Sequence, residues 1–525
     1  MIRGYLSKMG RSIASINIIR VLRVKRELSK WKYTFKDFSF NKIKKIHKKM
    51  PRILIVSSVG ENINSLALDS VLANALETKG CEVYVLLCDG VLDACMNCEI
   101  RKFKSLDEFY SDGSNKLCQK CISTGTIFGE AANLKILQYS DFLADDLVSA
   151  SPHQESALAG SLRFLAIGDK TSPELKKILP RYLNSSAISE KAITACISQM
   201  KIDIVVAHHG IYVPQGLAVK AAKTLGKSIV TWSQSYRKGT YLFSHHDSAH
   251  KMQLFEVFDF IPLNEHEQTE LKEYLHSRDA GTNDWIKYGV AKNLNSRVKL
   301  PLKEVPTALL LTNVNWDAQV HFSDGFFSNM EEWLIETIRW FQLHPEIQLI
   351  VRIHPAEITG TVPTRDPMSL AIKREFPDLE SNIFLLDADS DISTYSLFPL
   401  SDIGIIYGTK TGIELSASGI RTIVAGEAWV KNKGITIDPK TRKEYFEYLE
   451  SFASGRELPE INQSKALSYA YHYFFKRMIP VNSIQAIPYY PYARPKLKSN
   501  WENDDPGLAQ IVNGIIHGSP FVFEN

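Results

Sequence analysis

The sequence predicts an α/β protein in which two domains, each built on a parallel sheet, face one another across a cleft. Two observations carry that prediction. Short apolar runs rich in Ile, Val and Leu recur along the chain, near residues 52–58, 81–88, 201–207, 349–353, 402–407 and 421–425, most of them separated by helix-length segments. Runs of that length and spacing read as buried parallel strands. The chain is also long enough, at 525 residues, for two large cores, and its 44% hydrophobic and 23% charged content is that of a globular protein.

The opening fifty residues stand apart. They hold fifteen Lys or Arg against Glu27 and Asp37, a charge of +13, which leaves −9 for the remainder of a chain whose total is +4. Ile13, Ile16, Ile19, Val21, Leu22, Val24, Leu28 and Trp31 give this basic stretch an apolar component. A helical tail over 1–50 that rests on an anionic membrane surface is therefore expected. Nucleic acid is the competing partner for such charge, but nothing downstream reads as a nucleic-acid module. No run of eighteen uninterrupted apolar residues predicts a membrane span. The segment 13–24 is broken by Arg20 and Arg23 and lacks a cleavage site, so a cytoplasmic protein, peripheral at the inner face of the membrane, is predicted.

From Pro51 the pattern changes. RILIVSS reads as a first strand, followed by Val59-Gly60-Glu61-Asn62, a helix to Lys79 and a second strand in CEVYVLLCDG. This is a Rossmann-like opening without GxGxxG, which argues against NAD or FAD. A Cys-rich insertion over 90–125 follows. Its CxxC pairs, Cys95/Cys98 and Cys118/Cys121, approach zinc-ribbon spacing and predict a structural zinc on four thiolates, with an Fe–S cluster or unligated thiols as the other readings and Cys88 as an extra ligand. Residues 129–200 read as helical. KIDIVVAHHG is a strand ending at His208-His209-Gly210, and KSIVTWSQ another, succeeded by a polar run with Tyr236, Arg237, Lys238, His245, His246 and His250. VFDFIPL reads as a strand before a helix capped at Asn264, with Glu267 completing the capping box. The first domain is placed at 51–300 and the linker at 294–306. The second domain runs over 301–478, and 479–525 is a crossover segment.

In parallel sheets ligands bind beyond the carboxyl ends of the strands. Three polar clusters sit at such ends in the second half: Arg352-Ile353-His354-Pro355 with Glu357 beyond it, Gly408-Thr409-Lys410-Thr411-Gly412, and Gly426-Glu427. Pro355 keeps His354 out of helical geometry and fixes where its imidazole projects. Thr409 is placed to cap a helix through Glu414 to Ser418, whose N–H groups and dipole would receive a phosphate. Glu414, one turn in, would accept from ribose hydroxyls. The spacing to Lys410 rules out a P-loop. An ordinary capped βα turn and a satisfied polar histidine are the plain alternatives. Together the clusters predict one nucleotide crevice.

RIHPAE, then GTKTGIELSASGIRTIVAGEAW and KGIT, resembles the capsule polysaccharide biosynthesis family, and LLTNVNWDAQ fits the start of the same half. The likeness covers the C-terminal third well and the N-terminal half in outline. The family's better-known members are GT-B glycosyltransferases, including enzymes that transfer Kdo from CMP-Kdo. The resemblance implies a GT-B architecture, with His354, the turn from Gly408 to Gly412, and Glu414 facing a nucleotide-sugar donor and the first domain holding a glycan or glycolipid acceptor. No pattern fixes Kdo as the sugar, and related HP-motif transferases use other activated sugars or CDP-glycerol.

The expected activity is transfer of a sugar, from a CMP-linked or other nucleotide-activated donor, onto a surface or capsular polysaccharide or its lipid-linked precursor. With no DxD-like pair in a suitable loop, no catalytic metal is expected, and His, Lys and the helix dipole would stabilise the leaving phosphate. His208, His209, Glu61 and Asp89 end the right strands to act on the acceptor, His209 being preferred as base. Inversion and retention both stay open. The alternatives are a non-catalytic, membrane-associated component of polysaccharide assembly or export, and a CDP-glycerol-type phosphotransferase.

Overall fold

The computed structural model describes Phe35 and residues 50–144, 151–256, 258–285, 300–317, 325–486 and 493–524. The basic tail therefore lies outside the described residues, apart from Phe35 and Met50. Phe35 is buried in the first core, edge-on to Phe128 at 5.2 Å.

Two sheets organise the chain. The first contains β1 (Arg52–Ser58), β2 (Glu82–Leu87), β3 (Ile136–Gln138), β4 (Ile204–His208), β5 (Ser228–Gln234) and β6 (Thr240–His245). The second contains β7 (Thr307–Leu311), β8 (Gln348–Arg352), β9 (Ile383–Leu386), β10 (Ile403–Ile406) and β11 (Arg421–Val424). Their orders are β6-β5-β4-β1-β2-β3 and β11-β10-β7-β8-β9. Among these eleven strands all pairs are parallel except β5–β6. Apart from β6, each sheet thus starts at its centre and grows outward first to one side and then to the other. Apolar cores cover both faces of each sheet, which is why its strands read as nearly continuous hydrophobic runs.

The structure departs from expectation at β6. The stretch TYLFSH was read within a polar run, yet Tyr241, Leu242 and Phe243 are buried and pair antiparallel with β5. Gly239, with φ 74°, supplies the left-handed residue before the return strand. The strand expected in VFDFIPL is absent among the described residues, where 258–264 form no regular element. Phe258 instead packs on Tyr469 and His472, while Phe260 and Ile261 are exposed. The next helix, Glu265–Ala280, has the expected capping box between Asn264 and Glu267.

That helix packs on the second domain: Leu271 and Tyr274 share a core with Leu309, Ile413 and Tyr469. The chain later returns to the first sheet, where β12 (Ile479–Pro480) pairs antiparallel with β6. Beyond it Trp501, Leu508, Ile511 and Ile515 enter the first core. Among the described residues, no helix is long and apolar enough to cross a membrane.

Candidate active site

The two sheets present their carboxyl ends to a common cleft of about 500 Å³. In the second sheet the chain reverses direction of growth between β7 and β10, which is where open α/β sheets bind ligands. Asn313, just beyond β7, donates from Nδ2 to the Gly408 carbonyl beyond β10 (2.9 Å) and ties the two strand ends together. Thr312 Oγ1 accepts the His354 N–H (2.9 Å) and links the β8 end to them. Arg352, His354, Gly408, Thr409, Lys410, Thr411 and Glu427 all line the cleft. From the first sheet come His209, Tyr212 and His250.

His354 is held in one form. Its Nδ1 accepts the Ala356 N–H (3.0 Å), so the neutral ring carries its proton on Nε2. Burial, with Lys410 and Arg352 nearby, lowers its pKa to about 4, which leaves the imidazole neutral near pH 7. Lys410 is a cation only 10% exposed, with Nζ 3.1 Å from Glu414 Oε1 and over the Tyr236 ring at 4.5 Å. Burial and the charge of Arg278 bring it down to about 8, so it is mostly protonated at neutral pH. Arg352 is turned inward: its guanidinium donates to the carbonyls of Ile353, Asp387 and Ser390. Glu427 pairs with Lys431 at 2.7 Å.

Two N–H groups at the start of the helix after β10 are engaged from within the chain. The helix Thr411–Ala417 has only seven residues, and Thr409 already receives the Thr411 N–H through Oγ1 (3.4 Å) and the Gly412 N–H through its carbonyl (3.2 Å). Gly412 does not line the cleft. A Cβ there would come within 2.5 Å of Ile406 Cδ1, so this glycine serves the packing of helix on strand. Glu414 is likewise not placed for ribose. It is 1% exposed, and Arg278, Lys410 and Tyr395 occupy its two oxygens. Glu357 is also outside the cleft, its buried carboxyl accepting the Met368 N–H.

Burial raises Glu357 from the ordinary 4.5 to about 8. Between those values the folded chain keeps a proton that the unfolded chain has released, so stability falls as pH rises through this window. Glu357→Gln should therefore stabilise the protein at pH 7, by at most about 3 kcal/mol, and flatten the decline between pH 5 and 8. Thermal melts across that range check it; an unchanged slope contradicts the assignment.

Of the four residues proposed to act on the acceptor, only His209 lines the cleft. It has a left-handed backbone (φ 63°), followed by Gly210 at φ 72°, and its ring stacks on His250 at 4.9 Å. A non-glycine residue held there is strained, and such positions concentrate at functional sites. His208 instead packs on Trp232 at 4.4 Å, 3.2 Å from Ser65 Oγ, and burial brings its pKa to about 4. Glu61 stands beside the helix Asn115–Ala131, where Lys120 pairs with it, and Asn97 donates to it (3.1 Å). Gly60 and Gly125 permit that close approach, since a Cβ on Gly60 would meet Gly125 Cα at 2.8 Å. Asp89 accepts the Ser140 N–H (3.3 Å).

The two CxxC pairs stand in different local structure, a turn and a helix. Cys118 and Cys121 lie on the helix Asn115–Ala131, and Cys98 is fully buried among aromatic side chains. Cys88, Cys95, Cys118 and Cys121 line a small apolar void. Among the described residues no three His, Cys, Asp or Glu side chains are grouped so as to hold a metal ion.

Sequence reasoning missed Tyr212, whose hydroxyl donates to Asp317 Oδ1 (2.8 Å) across the cleft, and Trp429, whose indole donates to the His250 carbonyl (3.1 Å). The first follows β4 by four residues, and the second follows β11 by five. Counting outward from each strand end was the signal that could have found them.

A family model described as capsule polysaccharide biosynthesis protein matches residues 202–465, half of the chain. The chain belongs to that family. The matched region runs from the start of β4 to the helix Gln463–Tyr471 and so contains every residue of the second-sheet cluster together with His209. No curated protein matches the chain by sequence.

Among solved structures, the Thermosulfurimonas dismutans KpsC β-Kdo 2,4-transferase is 11% identical, covering 51% of this chain and 79% of its own, with a TM-score of 0.33. The KpsC β-Kdo 2,7-transferase of the same organism is 10% identical over 61% of this chain and 89% of its own, with a TM-score of 0.32. The UDP-GlcNAc 2-epimerase of Methanocaldococcus jannaschii is 12% identical over 80% and 98%, with a TM-score of 0.29. Likenesses this weak carry no chemistry across.

Proposed function

We propose that this family member is a glycosyltransferase that moves a sugar from a nucleotide-activated donor onto a surface or capsular polysaccharide or its lipid-linked precursor. One observation carries the reading. His354 and Lys410, at the switch point of the second sheet, stand in the same cleft as His209, at the end of a central strand of the first. The donor's phosphate lies against Lys410 and the His354 Nε2–H, which stabilise the charge that develops as the sugar departs. The acceptor hydroxyl approaches from the first sheet, and His209 takes its proton.

Incubating the full chain with CMP-, CDP-, UDP- and GDP-sugars, and with CDP-glycerol, tests this proposal. Slow hydrolysis of one nucleotide-sugar class is expected. Turnover of CDP-glycerol alone would replace glycosyl transfer with phosphotransfer, and no turnover of any donor would favour a non-catalytic role in polysaccharide assembly.

A further inference from the structure

The wall of the cleft holds a buried charge cluster built from two distant parts of the chain. Arg278, near the end of the helix Glu265–Ala280, is 7% exposed. Its Nε donates to Glu414 Oε1 at 2.8 Å and to the Tyr395 hydroxyl at 3.1 Å, and its Nη1 pairs with Asp284. Lys410 reaches the same Glu414 oxygen at 3.1 Å, while the Tyr395 hydroxyl donates to the other (3.2 Å). The Tyr274 hydroxyl donates to Asp284 Oδ1 (3.0 Å). Two cations and two carboxylates are thus withdrawn from water, which is costly unless every charge is paired. Arg278, Asp284 and Lys410 line the cleft, and Glu414 stands behind them.

The cluster also sits where the domains join. After the helix, Lys238 N–H donates to the Asn283 carbonyl (2.9 Å) and Trp285 N–H to the Tyr236 carbonyl (2.9 Å), so the segment carrying Asp284 is fastened to the β5–β6 turn of the first sheet. Arg278 therefore connects the anion-facing lysine of one domain to the backbone of the other.

We propose that Arg278 is a positioning residue for Lys410: by sharing Glu414 it sets where the ammonium points and how firmly it keeps its proton. The identity of the anion it meets rests on the nucleotide reading above; the behaviour of the lysine does not. With Arg278 neutralised, Glu414 would turn wholly to Lys410, hold its proton more tightly and draw the ammonium away from the cleft. With Glu414 neutralised, Lys410 would face Arg278 with only Asp284 to balance the pair, and would release its proton more readily. Also facing this pair are the Tyr395 hydroxyl, on Glu414, the Tyr236 ring beneath the ammonium and the neutral His354.

Competitive acetylation of the full chain with trace acetic anhydride over a pH series, read by mass spectrometry on the Lys410 peptide, measures this without any ligand. In the unaltered protein the midpoint is expected near 8. Arg278→Gln should raise it by about one pH unit and Glu414→Gln should lower it by about one, while Arg278→Lys should restore it. A loosened fold would carry both neutralised variants up toward the ordinary lysine value of 10.5, so opposite displacements mark the shared carboxylate. Two unmoved midpoints, or two that rise together, overturn the proposal. CDP binding by the unaltered protein is measured in parallel. Its absence would remove the nucleotide reading and leave the lysine result standing.

Discussion

His209→Ala is expected to lower turnover by ~10²–10⁴-fold, the range for loss of a general base, while leaving nucleotide affinity unchanged. The split follows from position. His209 enters the cleft from the first sheet, whereas His354 and Lys410 enter from the second. Its left-handed backbone at the strand end distinguishes it from His208, which is committed to Ser65 and Trp232. His208→Ala should therefore cost stability, through a lost packing partner of Trp232, more than it costs turnover. Glu61→Ala should leave turnover largely intact, because that carboxylate pairs with Lys120 and does not line the cleft. Comparing kcat and nucleotide Kd across the three variants checks the assignment. A loss in Glu61→Ala equal to that in His209→Ala would contradict it.

The second large effect is expected at Lys410. Lys410→Met should weaken nucleotide binding by about 1.5–3 kcal/mol, roughly ten- to more than a hundredfold, since a charge-assisted bond to phosphate is removed. The fold should persist, because Glu414 retains Arg278 and Tyr395 as partners. The pH dependence is a sharper mark. Lys410 holds its proton below about 8, so affinity in the unaltered protein should be full below that value and decline above it. The alkaline decline should vanish in Lys410→Met. Calorimetric titration with CMP and CDP between pH 6.5 and 9.5 measures both effects, and a persisting decline would assign it to another group.

Much of this arrangement was legible from residue order. Buried parallel strands announce themselves as Ile- and Val-rich runs because both faces of the sheet are covered, and their abrupt ends at His354, Gly408 and Gly426 placed the polar clusters on one side of the second sheet. What residue order could not show was the competition for each side chain. Glu414 stands one turn into a helix, where a carboxylate could meet a ligand, but Arg278, 136 positions earlier, claims it. Glu61 follows a central strand, but two glycines bring a helix from the cysteine-rich segment alongside, and Lys120 on that helix engages it. The CxxC spacing, likewise, did not show that Cys118 and Cys121 continue an α-helix, with Cys88 and Cys95 lining the same small void. At Glu414 and Glu61 a long-range contact engages a side chain whose local setting suggested another role.

A nucleotide is expected to occupy the carboxyl ends of the second sheet, in the cleft it shares with the first. Hydrogen exchange of the full chain with and without a saturating nucleoside diphosphate tests it most directly. The backbone amides of 312–314, 354–357 and 408–413 should exchange more slowly when the nucleotide is present, with smaller slowing around 209–212. Protection confined to residues outside the cleft, or none at millimolar nucleotide, would contradict the claim.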